Sequence, residues 1–184
     1  MFIISKYKNM YYDIFIKMLG ACFNKDYKIL LTKQQLEELC KEITQQVNKQ
    51  IAFLDLLFLD DDAKGFVNYQ VDTHQSDWCE KETWGCIREL YVADDVRGQG
   101  YGRKLAEHAE KKLLTLSVPN IYLTTDDAID FWVKIGYRDT GEICAKNEGN
   151  ILIKAQGSGG LSARENLKIG KMACSRGGEA CTNG

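Results

Sequence analysis

Two groups of residues in this chain could do chemistry. The first is Arg97-Gly98-Gln99-Gly100-Tyr101-Gly102, which sits between an apolar run and a helical pattern. Upstream, Cys86, Ile87, Leu90, Tyr91 and Val92 suit a buried strand. Downstream, Leu105, Ala109, Leu113 and Leu116 fall on one helical face, which predicts a helix from Gly102 to Leu116. A glycine loop at such a helix start leaves backbone N–H groups free where the helix dipole is positive, so it can hold a phosphate. The second group is the carboxylate of Glu89, in the strand just before the loop. It could take a proton from a substrate directly or through water, or pair with Arg88 or a lysine on a neighbouring strand. Simple alternation puts Glu89 on one face with Ile87, and Cys86 with Arg88 on the other. His74, in a polar loop, is a second base candidate, whereas His108 between Glu107 and Glu110 reads as a surface residue.

The spacing of the glycines excludes three phosphate motifs. A dinucleotide fingerprint needs G-x-G-x-x-G, but Gly98-x-Gly100-x-Gly102 puts Arg103 where the last glycine belongs. No G-x-x-x-x-G-K-[ST] occurs, so there is no P-loop. The other motifs that accompany a kinase glycine loop are missing as well. What remains is R-x-x-G-x-G, carried by Arg97, Gly100 and Gly102.

Elements must hold these groups in place. The 184 residues make one domain of ordinary size, and 45% hydrophobic residues suffice for a core. Phe2-Ile3-Ile4 predicts a first strand, and Asn9 to about Phe23 a helix. Thr32 with Gln35 three residues on predicts a capping box, opening a helix that runs through Val47. Ile51–Leu59, interrupted by Asp55, and Gly65–Val71 predict a hairpin around the Asp60-Asp61-Asp62 turn, which is either solvated or an attractor for a cation. Beyond Pro119, Ile121–Thr124 predicts a strand, so strand, helix and strand imply a right-handed parallel crossover. Asp126 or Asp127 is expected to cap a short helix from Ala128 to Ile135, ended by Gly136. A strand from Tyr137 and a turn at Asn147–Asn150 lead into Ile151-Leu152-Ile153. Residues 155–184 are glycine-rich and read as a flexible tail, with a weak helix near Ala163–Lys168.

Charge and cysteines narrow the partners. A net charge of -2 argues against nucleic acid. Seven Cys without a CxxC pair, and two His, argue against a zinc site or a disulfide framework. No membrane-length apolar run and no signal peptide are found, so the expected location is the cytoplasm.

Val92-x(4)-Arg97-Gly98-x-Gly100-x-Gly102-x-x-Leu105 resembles the acyl-CoA motif of the GNAT superfamily of N-acetyltransferases. Downstream, Ala128-x-x-Phe131-Trp132-x-Lys134-x-Gly136-Tyr137 resembles that family's A-x-x-F-Y-x-K-x-G-F segment. The resemblance covers residues 1 to about 154. It implies an α/β (α+β) GNAT acyl-CoA N-acyltransferase fold, with a mixed central sheet of about six to seven strands and about four helices. The backbone N–H groups of Arg97, Gly98, Gln99, Gly100, Tyr101 and Gly102 would cradle the pyrophosphate of acetyl-CoA. Gly100 and Gly102 would leave that approach clear, and Tyr101 would point into the core. Arg103 or Lys104 would meet phosphate or solvent. Backbone groups of Leu90, Tyr91 and Val92 would flank the pantetheine arm, and one N–H would polarise the thioester carbonyl. No metal is implied.

The implied activity is that of an acetyl-CoA-dependent N-acyltransferase, in which a neutral amine attacks the thioester directly within a ternary complex. Two positions depart from the family pattern. Trp132 stands where a tyrosine commonly protonates the leaving thiolate, and an indole N–H is no useful acid. Solvent would then supply that proton, or Tyr122 would substitute, or transfer would be slow; Trp132 itself would pack on the pantetheine arm or in the core. Thr125 stands where an asparagine is common. The acceptor is a small-molecule or peptide amine, and Asp77, Asp126 and Asp127 would suit a cationic one. Neither nucleic acid nor a membrane is expected as partner, and a homodimer stays open. Two other classes compete: an acyl-CoA-binding regulatory or sensor module, and an interaction domain with a structural glycine turn.

Overall fold

Period-two and period-3.6 patterns alternate along the chain, and each becomes the element it predicts. The computed structural model describes residues 1–76 and 79–155. In chain order it contains β1 (Phe2–Lys6), α1 (Tyr12–Ala21), α2 (Lys33–Asn48), β2 (Ala52–Leu59), β3 (Asp62–Val71) and β4 (Gly85–Val92). Then follow α3 (Tyr101–Leu114), β5 (Asn120–Thr125), α4 (Ile129–Lys134), β6 (Arg138–Ile143) and β7 (Asn150–Ala155). Asp77, the weak helix and the rest of the tail from residue 156 lie outside the described residues; Ala155 ends β7.

The strands form one seven-stranded sheet in the order β1-β2-β3-β4-β5-β7-β6. Every pair is antiparallel except β4–β5, which α3 joins as the expected crossover. On one face, α3 and α4 bury Leu57, Tyr69, Ile87, Leu105, Leu113 and Trp132. On the other, α1 and α2 bury Phe15, Leu19, Cys40, Leu54, Phe66 and Tyr91.

Local chemistry explains the boundaries. Thr32 Oγ1 accepts from Gln35 N at 3.2 Å and Gln35 Oε1 accepts from Thr32 N at 2.9 Å, the reciprocal box that opens α2. The β2–β3 hairpin is tighter than expected. Asp60 and Asp61 take the left-handed region at φ 45° and 70°, and β3 already begins at Asp62. Asp60 pairs with the N-terminal ammonium and Asp62 with Lys64. The cap of α4 is also corrected. The N-cap position is Ala128, with no side-chain cap; Thr125 Oγ1 accepts from Ala128 N at 3.2 Å in the turn before it, and Asp126 and Asp127 are exposed. Gly136 ends that helix as expected, at φ 102°.

Two departures bear on function. Helix α1 continues into a π-helical segment, Cys22–Asp26, which delivers Asp26 to the end of β4. And β4 carries a bulge: Asn68 pairs with Glu89 but Tyr69 with Ile87, so Arg88 is an extra residue. The alternation expected for Ile87 and Glu89 is therefore overturned. Ile87 packs toward α3, while Glu89 shares the opposite face with Asn68 and Tyr91.

The surface reading of His108 is corrected too. Its Nε2 lies 3.0 Å from Asp55 Oδ2, which also accepts from the Tyr69 hydroxyl at 2.7 Å. Asp55 is 5% exposed. The charge that interrupts the β2 run is thus a buried carboxylate with two partners, which is how a fold tolerates one.

Candidate active site

Strands β4 and β5 touch only at their starts, through Gly85↔Ile121 and Cys86↔Tyr122. Gly85 permits that contact: a Cβ there would meet Leu113 Cδ1 at 2.8 Å and Ile121 Cγ1 at 3.3 Å. Beyond this vertex the strands diverge, and from Ile87 onward β4 has no strand partner on that side. The gap opens into a cleft of about 1200 Å³, walled by β4, the 97–103 loop, α4 and residues of α2. A free strand edge along a cleft offers N–H and C=O groups to an extended amide-bearing ligand.

At one end lies the glycine loop. The N–H groups of Gly98, Gln99 and Gly100 make no hydrogen bond among the described residues. Those of Tyr101, Gly102 and Arg103 open α3, where helix geometry leaves them unpaired. The Arg97 N–H, expected in the cradle, instead donates to the Asp94 carbonyl at 3.3 Å, so the row of free amides begins at Gly98. The three glycines do different work. Gly98 and Gly100 adopt φ 77° and 83° with open space where a Cβ would stand. Gly102 is helical, and a Cβ there would meet the Phe131 ring at 3.3 Å, so it keeps α3 close to α4.

The side chain of Arg97 holds the loop from behind. Its Nε donates to the Val92 carbonyl at 2.8 Å, and its Nη2 reaches both Asp26 oxygens at 2.8 Å. Charge-assisted bonds of this kind fix geometry strongly. Arg103 donates to the Lys134 carbonyl at 3.3 Å, at the end of α4. Tyr101 is half-buried at the edge of the core, edge-on to Phe2. Lys104 Nζ lies over that Phe2 ring at 3.9 Å.

Glu89 sits midway along the cleft wall, half-buried. Neither expected ion-pair partner reaches it among the described residues. Its partner is Asn68, whose Nδ2 donates to Glu89 Oε2 at 2.6 Å. Burial pushes the Glu89 carboxyl above its ordinary value; Arg88 and the Asn68 amide pull it back, and Glu42 adds to the rise. A carboxylate held there can accept a proton from a group in the cleft.

The other two candidates are held firmly. Trp132 is 6% exposed, edge-on to Phe131 and Tyr137 with centroids 5.0 and 5.1 Å away. The Tyr122 hydroxyl donates to buried Asp72 and accepts from Glu80 N at 3.1 Å. Burial, the Cys86 thiol and the bond to Asp72 hold that phenol far above its ordinary range. His74 is exposed, beside Glu82 at 3.5 Å, and takes no part in the cleft wall. Among the described residues no group of three or more His, Cys, Asp or Glu could hold a metal, and no helix is long and apolar enough to cross a membrane.

Asp26 and Asn68 are residues that motif reasoning passed over, and Arg88 enters it only as an ion-pair partner for Glu89. Asn68 had one local signal, an amide inside the apolar run GFVNYQV. Asp26 had none, because its partner lies 71 residues away.

The family model of the acetyltransferase (GNAT) family matches residues 12–137. The fold is similar to that of the PaiA N-acetyltransferase from Thermoplasma acidophilum in complex with coenzyme A. There the TM-score is 0.66 at 15% identity, covering 85% of this chain and 99% of that one. A GNAT-family acetyltransferase from Staphylococcus aureus Mu50 gives TM-score 0.67 at 14% identity, with 84% and 99% covered. Aminoglycoside 6'-acetyltransferase type Ii gives 0.63 at 20%, with 83% and 96% covered. At such identities these likenesses establish the fold, a GNAT acyl-CoA N-acyltransferase fold, and the matched family model goes further. The chain belongs to the acetyltransferase (GNAT) family.

Proposed function

We propose that the chain is an N-acetyltransferase that moves the acetyl group of acetyl-CoA to a primary amine of a small molecule or peptide. The observation that carries this reading is one cleft with a row of free amides at one end, an unpaired β4 edge along it, and Glu89 on its wall. The amides of Gly98 to Arg103 would hold the pyrophosphate, as the open space at Gly98 and Gly100 allows. The β4 edge at Leu90–Val92 would pair with the pantetheine arm, and one of its N–H groups would stabilise the oxyanion. The amine nitrogen attacks the thioester carbon, the C–S bond breaks, and Glu89 takes the proton from nitrogen. The thiolate takes its proton from solvent, since Trp132 has none to give and Tyr122 directs its own to Asp72. The transferase unit would span residues 1–154, with the remainder a tail. Its buried free thiols Cys22, Cys40, Cys86 and Cys144 suit the reducing cytoplasm.

That commitment of the Tyr122 hydroxyl also favours a second reading, an acyl-CoA-binding regulatory module with weak transfer. One experiment separates the two. Acetyl-CoA is mixed with polyamines, aminoglycosides, amino acids or peptides, and free thiol release is followed. Turnover on any one class supports the transferase. Tight CoA binding with no turnover supports the regulatory module, and no CoA binding sinks both.

A further inference from the structure

The bulge at Arg88 does more than turn Glu89. It adds a guanidinium to the same stretch of cleft wall, half-buried and with no hydrogen bond or ion pair among the described residues. Most other basic groups around the cleft are engaged: Arg97 by Asp26, Lys25 by Asp94, Lys28 by Asp127 and Arg103 by the Lys134 carbonyl. The Lys134 ammonium has no such partner among the described residues, but it is exposed to solvent at the end of α4, whereas Arg88 is half-buried. A partly desolvated guanidinium without a partner is costly, and its planar fork matches a carboxylate. Bulges recur where a strand must re-aim a side chain next to a site.

We infer that Arg88 receives the anionic group of the acceptor, and that the acceptor is a short zwitterion, an amine carrying one carboxylate. The inference rests on the transferase reading and names its substrate class. Arg88 and Glu89 line the same cleft, and the Arg88 charge acts on the Glu89 carboxyl, so one small substrate can meet both. The surroundings limit the charge. Glu42 and Glu80 also line the cleft, which disfavours a polyanion. A polycation would place a second positive charge beside the Arg88 guanidinium, next to the reacting nitrogen. A molecule with one charge of each sign meets both constraints. The anion is not a phosphate of CoA in this arrangement. The free amides that suit a pyrophosphate lie at Gly98 and beyond, past the far end of β4, whereas Arg88 stands near the vertex beside Cys86 and Glu89.

The test uses the full chain, acetyl-CoA, and matched pairs of acceptors: free α-, β- and γ-amino acids, and the same molecules with the carboxylate converted to a carboxamide. The wild-type protein is expected to favour the best carboxylate acceptor by about tenfold or more in kcat/KM, the worth of a charge-assisted contact. Arg88→Gln is expected to erase that preference while leaving the Kd for CoA within about twofold, which also shows that the variant is folded. Arg88→Lys should retain part of the preference, keeping the charge but losing the fork. Equal or better use of carboxamides, polyamines or aminoglycosides by the wild type overturns the inference and leaves the transferase standing. A preference that survives in Arg88→Gln, or a tenfold loss of CoA affinity there, assigns Arg88 elsewhere and overturns it too. No turnover with any amine, although CoA binds, overturns both the inference and the transferase reading.

Discussion

The two ends of the cleft are built on opposite plans. At the loop end the groups left free to bind are backbone amides, and the side chains act as scaffold. Arg97 reaches back to Val92 and Asp26, and Gly102 makes room for Phe131. At the Glu89 end the groups that face the cleft are side chains, and the backbone acts as scaffold, through a bulge at Arg88 beside Glu89. An end made of amides recognises any ligand with the right phosphates. An end made of side chains can be retuned one residue at a time, which suits a family fold in which the donor stays fixed and the acceptor changes.

Glu89→Gln separates the two ends most sharply. If Glu89 is the proton acceptor, kcat falls by about 10²–10⁴ while the Kd for CoA stays within about twofold. Stopped thiol-release assays and calorimetry read the two quantities. The pH profile adds a second mark. The Glu89 carboxyl is raised above its ordinary value, and a proton acceptor works in its base form. The wild-type rate should therefore climb with pH through an apparent pKa above about 4.3, a limb that Glu89→Gln lacks. A Gln variant with wild-type kcat would make Glu89 a structural partner of Asn68 and nothing more.

Gly100→Asp attacks the other end. A side chain at φ 83° is strained, and its carboxylate stands in the open space in front of the amides. CoA affinity should fall by about hundredfold. Gly100→Asn tests the same backbone without the charge and should lose less than about tenfold, since asparagine tolerates the left-handed region. Equal losses in both would mean that strain alone acts and that no anion approaches Gly100.

The same contrast governs what could be read from the chain. The loop's conformation was legible because a turn that leaves amides free needs glycines at fixed spacing, and spacing is local. The strands, the capping box at Thr32 and the parallel crossover were legible for the same reason. The Glu89 end was not. Its geometry depends on a one-residue register shift between β3 and β4, and on Asn68 lying 21 residues from Glu89. Period-two reading assumes unbroken pairing, so a bulge inverts every inference beyond it. The cap of α4 failed more gently: Thr125, Asp126 and Asp127 are all plausible caps by type, but the N-cap position falls on Ala128, which has no side-chain cap.

A buried carboxylate also lies away from the cleft, and it shows that burial alone does not mark catalysis. Asp55 is more enclosed than Glu89, yet its partners His108 and Tyr69 leave it no access to the cleft, whose walls it does not share. Burial alone would raise the Asp55 carboxyl; the hydrogen bonds from His108 and Tyr69 more than offset that and hold it below its ordinary value. A carboxyl lowered in the folded state stabilises the fold above its unfolded value, and that contribution is lost as pH falls through the folded one. Asp55→Asn should therefore cost about 1–3 kcal/mol near neutral pH, by denaturant unfolding. The gap to wild type should begin to narrow below about pH 4, where the unfolded carboxyl takes up its proton, and close as pH falls through the lower folded value. Turnover at a temperature where both are folded should stay within about twofold. A large loss of kcat with stability unchanged would instead tie the α3 face to the chemistry, and the division of labour between the two cleft ends would have to include it.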